Sequence, residues 1–457
     1  MKFILFVISS LLIIFFTGCS TSVERMKIES NLLPKKFSIQ GDHVLQKKWW
    51  EVFNDVELNN LIEKALSTNL TLQATWERLT QAKAIAVKSG VSLYPSVNLS
   101  GDVSSIRNNG STNSFSTTIA AGYEFDLWGR LSFIADASAL DVKASKEDLL
   151  SASISLSAEV ASIWYKLKEQ HAHAKLLRNQ LRINEKHLKI TERKFKNAQS
   201  KASDVLQQRQ VLESVKGETV LTQGRIKLFE NQLSLLLGEK SGVLNYSKDS
   251  SLPILKELPS LGIPSELLMQ RPDVKSAYFS LEAYNLRLGN AISERYPKFS
   301  ISVSSSSRAV SASDLFTNWL VTLAGNMSAP IFDAGLRYAE VKRSEAKRDE
   351  QLYKYKNVLL SALKEVEDGL SKVVHQEKYV HSLSKQVELS TKSLAQIKDQ
   401  YIHGNNSFVS FLNAQLSYEV LERNKITATR ELIDNRISLY RSLSTGWNLK
   451  RNNEIKE

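Results

Sequence analysis

The side chains best suited to chemistry in this 457-residue chain are seven histidines and one cysteine. The spacing of the histidines argues against a reaction centre. His171 and His173 are two positions apart, so on a helix they point in different directions and share no ligand. His375 and His381 are six apart, with no carboxylate or cysteine set to complete a metal shell. The chain has no Gly-x-Ser-x-Gly elbow, no glycine-rich phosphate loop and no zinc signature. No catalytic, cofactor-binding or metal-ligating residue is assigned, and the chain is not expected to be an enzyme.

Cys19 is the exception. Lys2 is the sole charge ahead of an apolar run from Phe3 to Phe16, and Thr17-Gly18-Cys19 follows. A basic start, an apolar stretch and small residues at a cleavage point make residues 1–18 a secretory signal, too short for a spanning helix with loops. The segment resembles a bacterial lipobox with Phe16 in place of the usual leucine. That resemblance makes Cys19 the lipid-modified first residue of the mature protein, followed by a lipidated extension over 19–45. A single cysteine allows no intramolecular disulfide, so packing must supply the stability. One acyl anchor binds a membrane marginally, and several chains together hold firmly.

The elements that would meet that membrane occur twice, about two hundred residues apart. Tyr94-Pro95 and Tyr296-Pro297 each open a run of strict alternation. Val97, Leu99 and Val103 alternate with serines, Asn98 and Asp102; Phe115, Ile119, Tyr123 and Phe125 alternate with Ser116, Thr118 and Glu124. Phe299, Ile301 and Val303 alternate with serines, and Val321, Leu323 and Met327 alternate with Thr322, Asn326 and Ser328. Period two puts each apolar set on one face, with odd numbers outward and even numbers inward. The strands are expected over about 96–106, 115–127, 298–308 and 319–331, each about ten residues, enough to cross hydrocarbon when tilted. Four strands cannot close a barrel, and eight fill their own interior. Twelve leave a solute path, so three chains are expected to assemble. Taken alone, the alternation also fits two amphipathic hairpins on a soluble core.

Helix occupies most of the rest. From Leu131 to about Gln199, and from Leu336 to about His403 apart from Gly369, no proline or glycine breaks a pattern of apolar residues at three and four. Each rod runs on the order of 100 Å at 1.5 Å per residue, which implies a coiled or tubular assembly. The rods turn at Lys196–Ser203 and Gly404–Ser407. Ser203 with Asp204 is expected to cap the returning helix, and Gly404 to stop the second rod. Pro253, Pro259 and Pro264 mark a linker. The division is a repeat over 46–250, a linker over 251–264, a second repeat over 265–447 and a tail over 448–457. Net charge is +12, one less once Lys2 leaves. Such an excess would suit nucleic acid, but an exported chain does not meet it. Arg178, Arg182, Lys186, Lys189 and Arg193 read as a solvated or partner-facing helix surface.

Several segments, in order, match one family. Trp49-Trp50-Glu-Val-Phe-Asn-Asp-Val-Glu-Leu58, Tyr123-Glu-Phe-Asp-Leu-Trp-Gly-Arg130, Arg271-Pro-Asp-Val274, Pro330-Ile-Phe-Asp333 and Leu439-Tyr-Arg-Ser-Leu-Ser-Thr-Gly-Trp447 resemble TolC/OprM-type outer-membrane factors. The resemblance covers essentially the whole mature chain. It implies a mainly α fold with a membrane β-barrel part: a homotrimer with a twelve-stranded barrel on a long α-helical tunnel. The lipidated branch is similar to exit ducts of resistance-nodulation-division (RND) drug efflux pumps. Expected partners are therefore a periplasmic adaptor, an inner-membrane RND-type pump and outer-membrane lipids of a Gram-negative bacterium, without nucleic acid or cofactor. An exit duct of a type I protein secretion system and a lipid-anchored helical scaffold without a pore are the alternatives.

The same resemblance points to the tunnel's far end. The family's turns carry a pattern like Tyr-x-x-Gly-x-x-Ser-x-x-Asp-x-Leu-x-Ala-Gln. Tyr401, Gly404, Asn406, Ser407, Ser410 and Asn413 fall in the second copy, with Ser410 where the acid is expected. The first copy keeps Asp204 but has Ala198 for the glycine and Lys201 for the serine. The resemblance makes these residues candidates for a periplasmic gate and adaptor-docking site; simple capping of helical hairpins is the other reading.

Overall fold

The computed structural model describes residues 33–34, 36–39, 48–107, 111–242, 244–255, 258, 264–447 and 449. The signal, Cys19, most of the 19–45 extension, part of the linker and most of the tail lie outside the described residues. Among the described residues the order of elements repeats. Helices α1 (Val56–Thr68) and α2 (Leu70–Val91) lead to β1 (Ser96–Arg107), β2 (Ser111–Phe125), α3 (Arg130–Lys196) and α4 (Ala202–Leu236). Then α5 (Pro264–Gln270) and α6 (Pro272–Ser293) lead to β3 (Lys298–Ala309), β4 (Leu320–Ser328), α7 (Leu336–Ile402) and α8 (Phe408–Leu443). Both rods, α3 and α7, are 67 residues long.

The chain divides into two compact units. Among the described residues, one comprises those of Glu77–Glu147 and Asp273–Val358 and contains all four described strands. They form one antiparallel sheet in the order β1-β2-β3-β4. The bounds of two strands differ from expectation by more than one residue. β2 starts at Ser111 rather than about 115, because its first polar residues pair with the end of β1, Arg107 opposite Ser111. It stops at Phe125, where the Asp126 carboxylate accepts the N–H groups of Leu131 (2.9 Å) and Ser132 (2.8 Å) and so starts α3. β4 stops at Ser328 rather than about 331, two residues before Pro330, which has no N–H to offer a ladder. Asp333 repeats the role of Asp126, accepting from the N–H groups of Gly335 and Arg337 at the start of α7.

The other unit comprises Asn31–Trp76, Asp148–Pro272 and Leu359–Glu457. Its core explains the Trp-Trp opening. Trp49 and Trp50 lie in a short 3-10 turn (Trp49–Phe53) and are fully buried. Trp49 stacks near Tyr440 and donates its indole N–H to Ser157 Oγ at 3.1 Å, while Trp50 meets Trp447 edge-on at 4.8 Å. Asp55 caps α1 by accepting the Leu58 N–H at 3.1 Å. Gly369 lets α7 and α8 approach closely, since a Cβ there would come within 3.2 Å of Leu439 Cδ1. At the first turn the cap is shifted: α4 begins at Ala202, so Ser203 lies inside the helix. The Asp204 carboxylate, not Ser203, reaches back to the Lys201 N–H (3.1 Å).

Candidate functional site

Pairing in the sheet joins odd to odd and even to even at every strand: Val97 opposite Ala121, Ala121 opposite Val303, Val303 opposite Leu323. Parity is thus shared across all four strands, and the apolar residues of each fall on one continuous face. That face is largely exposed, as is the polar face on β1 and β4. Leu99 and Val103 are 74% exposed, Val321 and Leu323 68%, and in the paired inner strands Ile301 and Val303 are exposed while Ser300, Ser302 and Ser304 are half-buried. Two large apolar residues depart from the pattern. Ile106 and Leu320 sit among the even-numbered positions, near the strand ends farthest from the helices. A continuous apolar sheet face left to solvent is unfavourable in water and suited to lipid. The outer edges of β1 and β4 pair with no described strand, which leaves their N–H and C=O groups open to another chain.

Aromatic residues stand at both ends of this face. Tyr123 and Phe125 meet edge-on at 5.2 Å at the helix end, and Trp128 stacks on Tyr296 at 5.0 Å just beyond it. Phe316 and Trp319 flank the β3–β4 connection at the other end. Amphipathic rings at the two rims of an apolar band match the girdles of barrel strands. The strand–helix junctions of the two copies are bound together: Trp128 donates to the Pro297 carbonyl at 2.7 Å, and Ser293 Oγ donates to the Trp128 carbonyl at 2.8 Å. Arg130 pairs with Glu124 (2.7 Å) and Glu294 (3.2 Å), and Arg337 donates to the Glu294 carbonyl.

The structure collects the expected tip residues at the two helical turns. Asp204 accepts from Ser200 Oγ at 2.8 Å as well as from the Lys201 N–H. Tyr401 lies parallel to Phe411 at 5.3 Å, with the Lys194 ammonium 4.0 Å from its ring centre. Burial, and then the charge of Asp204, raise the Tyr401 phenol above its ordinary range, so the first and second turns share one electrostatic environment. Gly404 has a left-handed backbone, and the Asn405 N–H closes the end of α7 on the Gln400 carbonyl at 2.9 Å. Asn406 bridges the Gln400 side chain and the Ser407 N–H. Ser407 caps α8 by accepting the Ser410 N–H at 3.1 Å and hydrogen-bonds the Ser410 hydroxyl at 3.0 Å. Asn413 is exposed on α8. Cys19 lies outside the described residues.

One feature escaped the sequence reading. The seam between α3 and α8, helices from different copies, is bridged by polar side chains. Ser162 bonds Asp434, Arg430 bonds Glu169, and His173 bonds Thr427. Nearer the turns, Arg423 bonds Gln180 (2.7 Å), Asn184 bonds Glu419 (2.9 Å) and His187 bonds Gln415 (2.7 Å). The signal was present as Gln180, Asn184 and His187 at spacings of four and three, and Gln415, Glu419 and Arg423 at four and four. Those are core spacings occupied by polar residues, and composition alone assigns them to the surface. Beside this stretch lies a cleft of about 510 Å³ between α3, α7 and α8, bordered by Ile183, Leu394 and Phe411 and by Arg182, Lys186 and Lys398. Two of the five basic residues of the α3 stripe therefore face a groove.

The sequence profile of the family described as "Outer membrane efflux protein" matches residues 61–239 and 263–445. The pyoverdine export outer membrane protein OpmQ of Pseudomonas aeruginosa is 26% identical over 419 residues, covering 89% of this chain and 88% of that protein. The cation efflux system protein CusC of Escherichia coli O6:H1 is 26% identical over 453 residues, 94% of this chain and 96% of its own length. Among solved structures, the outer-membrane channel OprN shares the fold with a TM-score of 0.86 at 23% identity, over 93% of this chain and 99% of that one.

Proposed function

Because the chain belongs to the outer membrane efflux protein family, we propose that it is the exit duct of a tripartite export system and carries small solutes outward through the outer membrane. The observation that carries this reading is the two-faced sheet: apolar side chains gathered on one exposed face, serines and other small polar side chains on the other, and two open edges. In lipid those edges must pair, and three copies of the chain supply twelve strands, enough to close a barrel around a solute path. The helical rods α3 and α7 with their returning partners then continue the duct into the periplasm. The chain then consists of repeats 46–250 and 265–447 joined by a linker over 251–264; the first matched segment lies inside the first repeat, and the second, 263–445, begins two residues ahead of the second repeat. Cys19 carries the lipid that fixes the chain to the membrane of a Gram-negative bacterium after residues 1–18 are removed.

On this reading the duct is passive, and its energy comes from an inner-membrane RND-type pump reached through a periplasmic adaptor. The turns bearing Asp204, Tyr401, Gly404, Asn406, Ser407, Ser410 and Asn413 form the gate and the adaptor contact. The test is reconstitution of the purified full-length protein into planar bilayers, with mass measurement in detergent. A trimer that conducts ions supports the duct; a monodisperse monomer or dimer that conducts overturns the twelve-stranded barrel, and a stable trimer without conductance overturns the duct.

A further inference from the structure

The two turns carry more positive charge than their own helices use. Arg193, Lys194 and Lys196 stand in the last turn of α3, Lys201 directly ahead of α4, and Lys398 one turn before the end of α7. Over 193–204 and 398–410 these five cations meet two carboxylates, Asp204 and Asp399. The next pair outward, Glu192 with Arg209 at 2.8 Å, cancels itself. Both carboxylates are engaged: Asp204 accepts from Ser200 Oγ and the Lys201 N–H, and Asp399 lies 3.5 Å from the His403 ring. Among the described residues none of the five cations is in an ion pair: Lys194 lies 4.0 Å from the Tyr401 ring centre, and the other four are exposed.

Helix chemistry accounts for only part of this excess. Bases in the last turn of α3 complement the negative end of its dipole. Lys201 does the opposite, since it stands at the start of α4, where the dipole repels a cation. The second turn brings in no carboxylate at its helix start: α8 is capped by the Ser407 hydroxyl, which accepts the Ser410 N–H at 3.1 Å. Folding therefore gives no reason for Lys201, and none for the imbalance it adds to. The sheet shows no such bias. Its even-numbered face carries Asp102, Glu124, Lys298 and Arg308, two charges of each sign. Asp102 and Arg308 even fall in one row, on either side of Ser116. A net field along the duct must come from the turns.

We propose that the two turns are an anion filter: Arg193, Lys194, Lys196, Lys201 and Lys398 hold the narrow end of the duct positive, so that the solutes it passes best are small anions bearing carboxylate, sulfonate or phosphate groups. The proposal rests on the duct reading, with these turns as its gate, and adds the substrate class. Three chains bring three copies of the excess to one opening, where a low-dielectric wall focuses the field and raises the local concentration of the opposite charge. At a wide mouth the same charges would be screened beyond about 8 Å at physiological salt. A constriction keeps a passing solute inside that distance.

The experiment measures the reversal potential of the full-length trimer in planar bilayers across a KCl gradient, and repeats it with potassium benzoate, a small carboxylate. The expected chloride-to-potassium permeability ratio is about three or more at about 0.1 M salt, falling toward one at about 1 M, where the Debye length is about 3 Å. Arg193→Gln, Lys196→Gln and Lys201→Gln together leave two cations against two carboxylates and should bring the ratio to about one. Removing one charge of each sign from the sheet, Asp102→Asn with Arg308→Gln, should leave it unchanged. A wild-type ratio of one or below overturns the filter. So does an anion preference that survives the triple variant in intact trimers, or one abolished by the sheet pair instead. A preference for chloride that does not extend to benzoate overturns the substrate class. Where the triple variant does not assemble, Lys196→Gln and Lys201→Gln are read singly, each expected to lower the ratio. Failure of the duct reading is separately visible: wild-type trimers then conduct nothing, whereas conduction without preference refutes the filter alone.

Discussion

Ala198 and Gly404 end the two long rods at equivalent points with the same left-handed backbone, φ 54° and 78°. The 6→1 bond of the cap is present in both, Gln199 N–H to the Lys194 carbonyl and Asn405 N–H to the Gln400 carbonyl. Only glycine adopts this conformation freely; a Cβ costs about 1 kcal/mol. Ala198→Gly should therefore stabilise the protein by about 1 kcal/mol, and Gly404→Ala, where the added Cβ meets no atom within 4 Å, should destabilise it by a similar amount. Chemical denaturation of the two variants checks the pair; the same sign of change for both would sink the cap assignment.

Sheet parity gives a second prediction. Val321 and Thr322 are neighbours on β4 but belong to opposite faces, Val321 opposite Ser305 and Thr322 opposite Ser304. On the proposed barrel Val321→Arg should cost about 2–4 kcal/mol near the midplane, and Thr322→Arg should leave stability within about 0.5 kcal/mol and narrow the lumen. Folding yield into vesicles reads the first, and conductance the second. Equal harm from both would mean that the faces do not separate lipid from lumen.

The tip supplies a third. Asp204 and Tyr401 come from different turns yet share one environment, Asp204 through its bonds from Ser200 and the Lys201 N–H and Tyr401 with its ring stacked on Phe411. An Asp204→Ala, Tyr401→Phe double variant should keep the trimer and raise single-channel conductance, since phenylalanine keeps the ring packing and each Asp204 hydrogen bond removed contributes only about 1 kcal/mol. Intact trimers with wild-type conductance would reduce these residues to helix caps.

Processing supplies a fourth. Cys19→Ala should leave residues 1–18 attached and abolish labelling with a radioactive fatty acid. Mass spectrometry of the wild-type protein that finds the signal retained would remove the lipid anchor from the proposal.

The sheet was legible because its two determinants are local. Alternation fixes the face, and a single register between Ser96 and Gly122 or Lys298 and Ser328 carries it across the strands. The rods were legible for the same reason, as long stretches without glycine or proline. Strand ends were less so: Asp126 and Pro330 stop β2 and β4 through helix capping and a missing N–H, and apolar pattern does not register either. At the tip, the residues were found through their motif, but Lys201 rather than Ser203 occupies the cap position because the Asp204 side chain reaches back from the third residue of the helix. The polar seam was invisible because Asn184, Gln208 and Glu419 look like surface residues until a second helix, more than 200 positions away in sequence, is packed against Asn184.

The opening motif of the mature chain gives the last prediction. Asp55 accepts from Trp164 Nε1 at 2.9 Å and from the Leu58 N–H, and it pairs with Lys168 at 3.0 Å, both side chains being mostly buried. Burial pushes its carboxyl up, but the bonds from Trp164, the Leu58 N–H and Lys168 outweigh that and bring it below its ordinary value of 3.8. A lowered folded-state pKa means that the contribution to stability is fully present above about pH 5 and is lost as pH falls through the folded value. Asp55→Ala leaves the Lys168 ammonium buried without its nearest carboxylate and removes a helix cap, so it should cost about 3–5 kcal/mol at neutral pH. Asp55→Asn should recover the cap and not the charge, placing it between the two. Denaturation at about pH 7 and about pH 3 separates these contributions, because the gap between wild type and Asp55→Asn should shrink in acid. A gap that stays constant across that range would show that the aspartate acts through shape and capping alone.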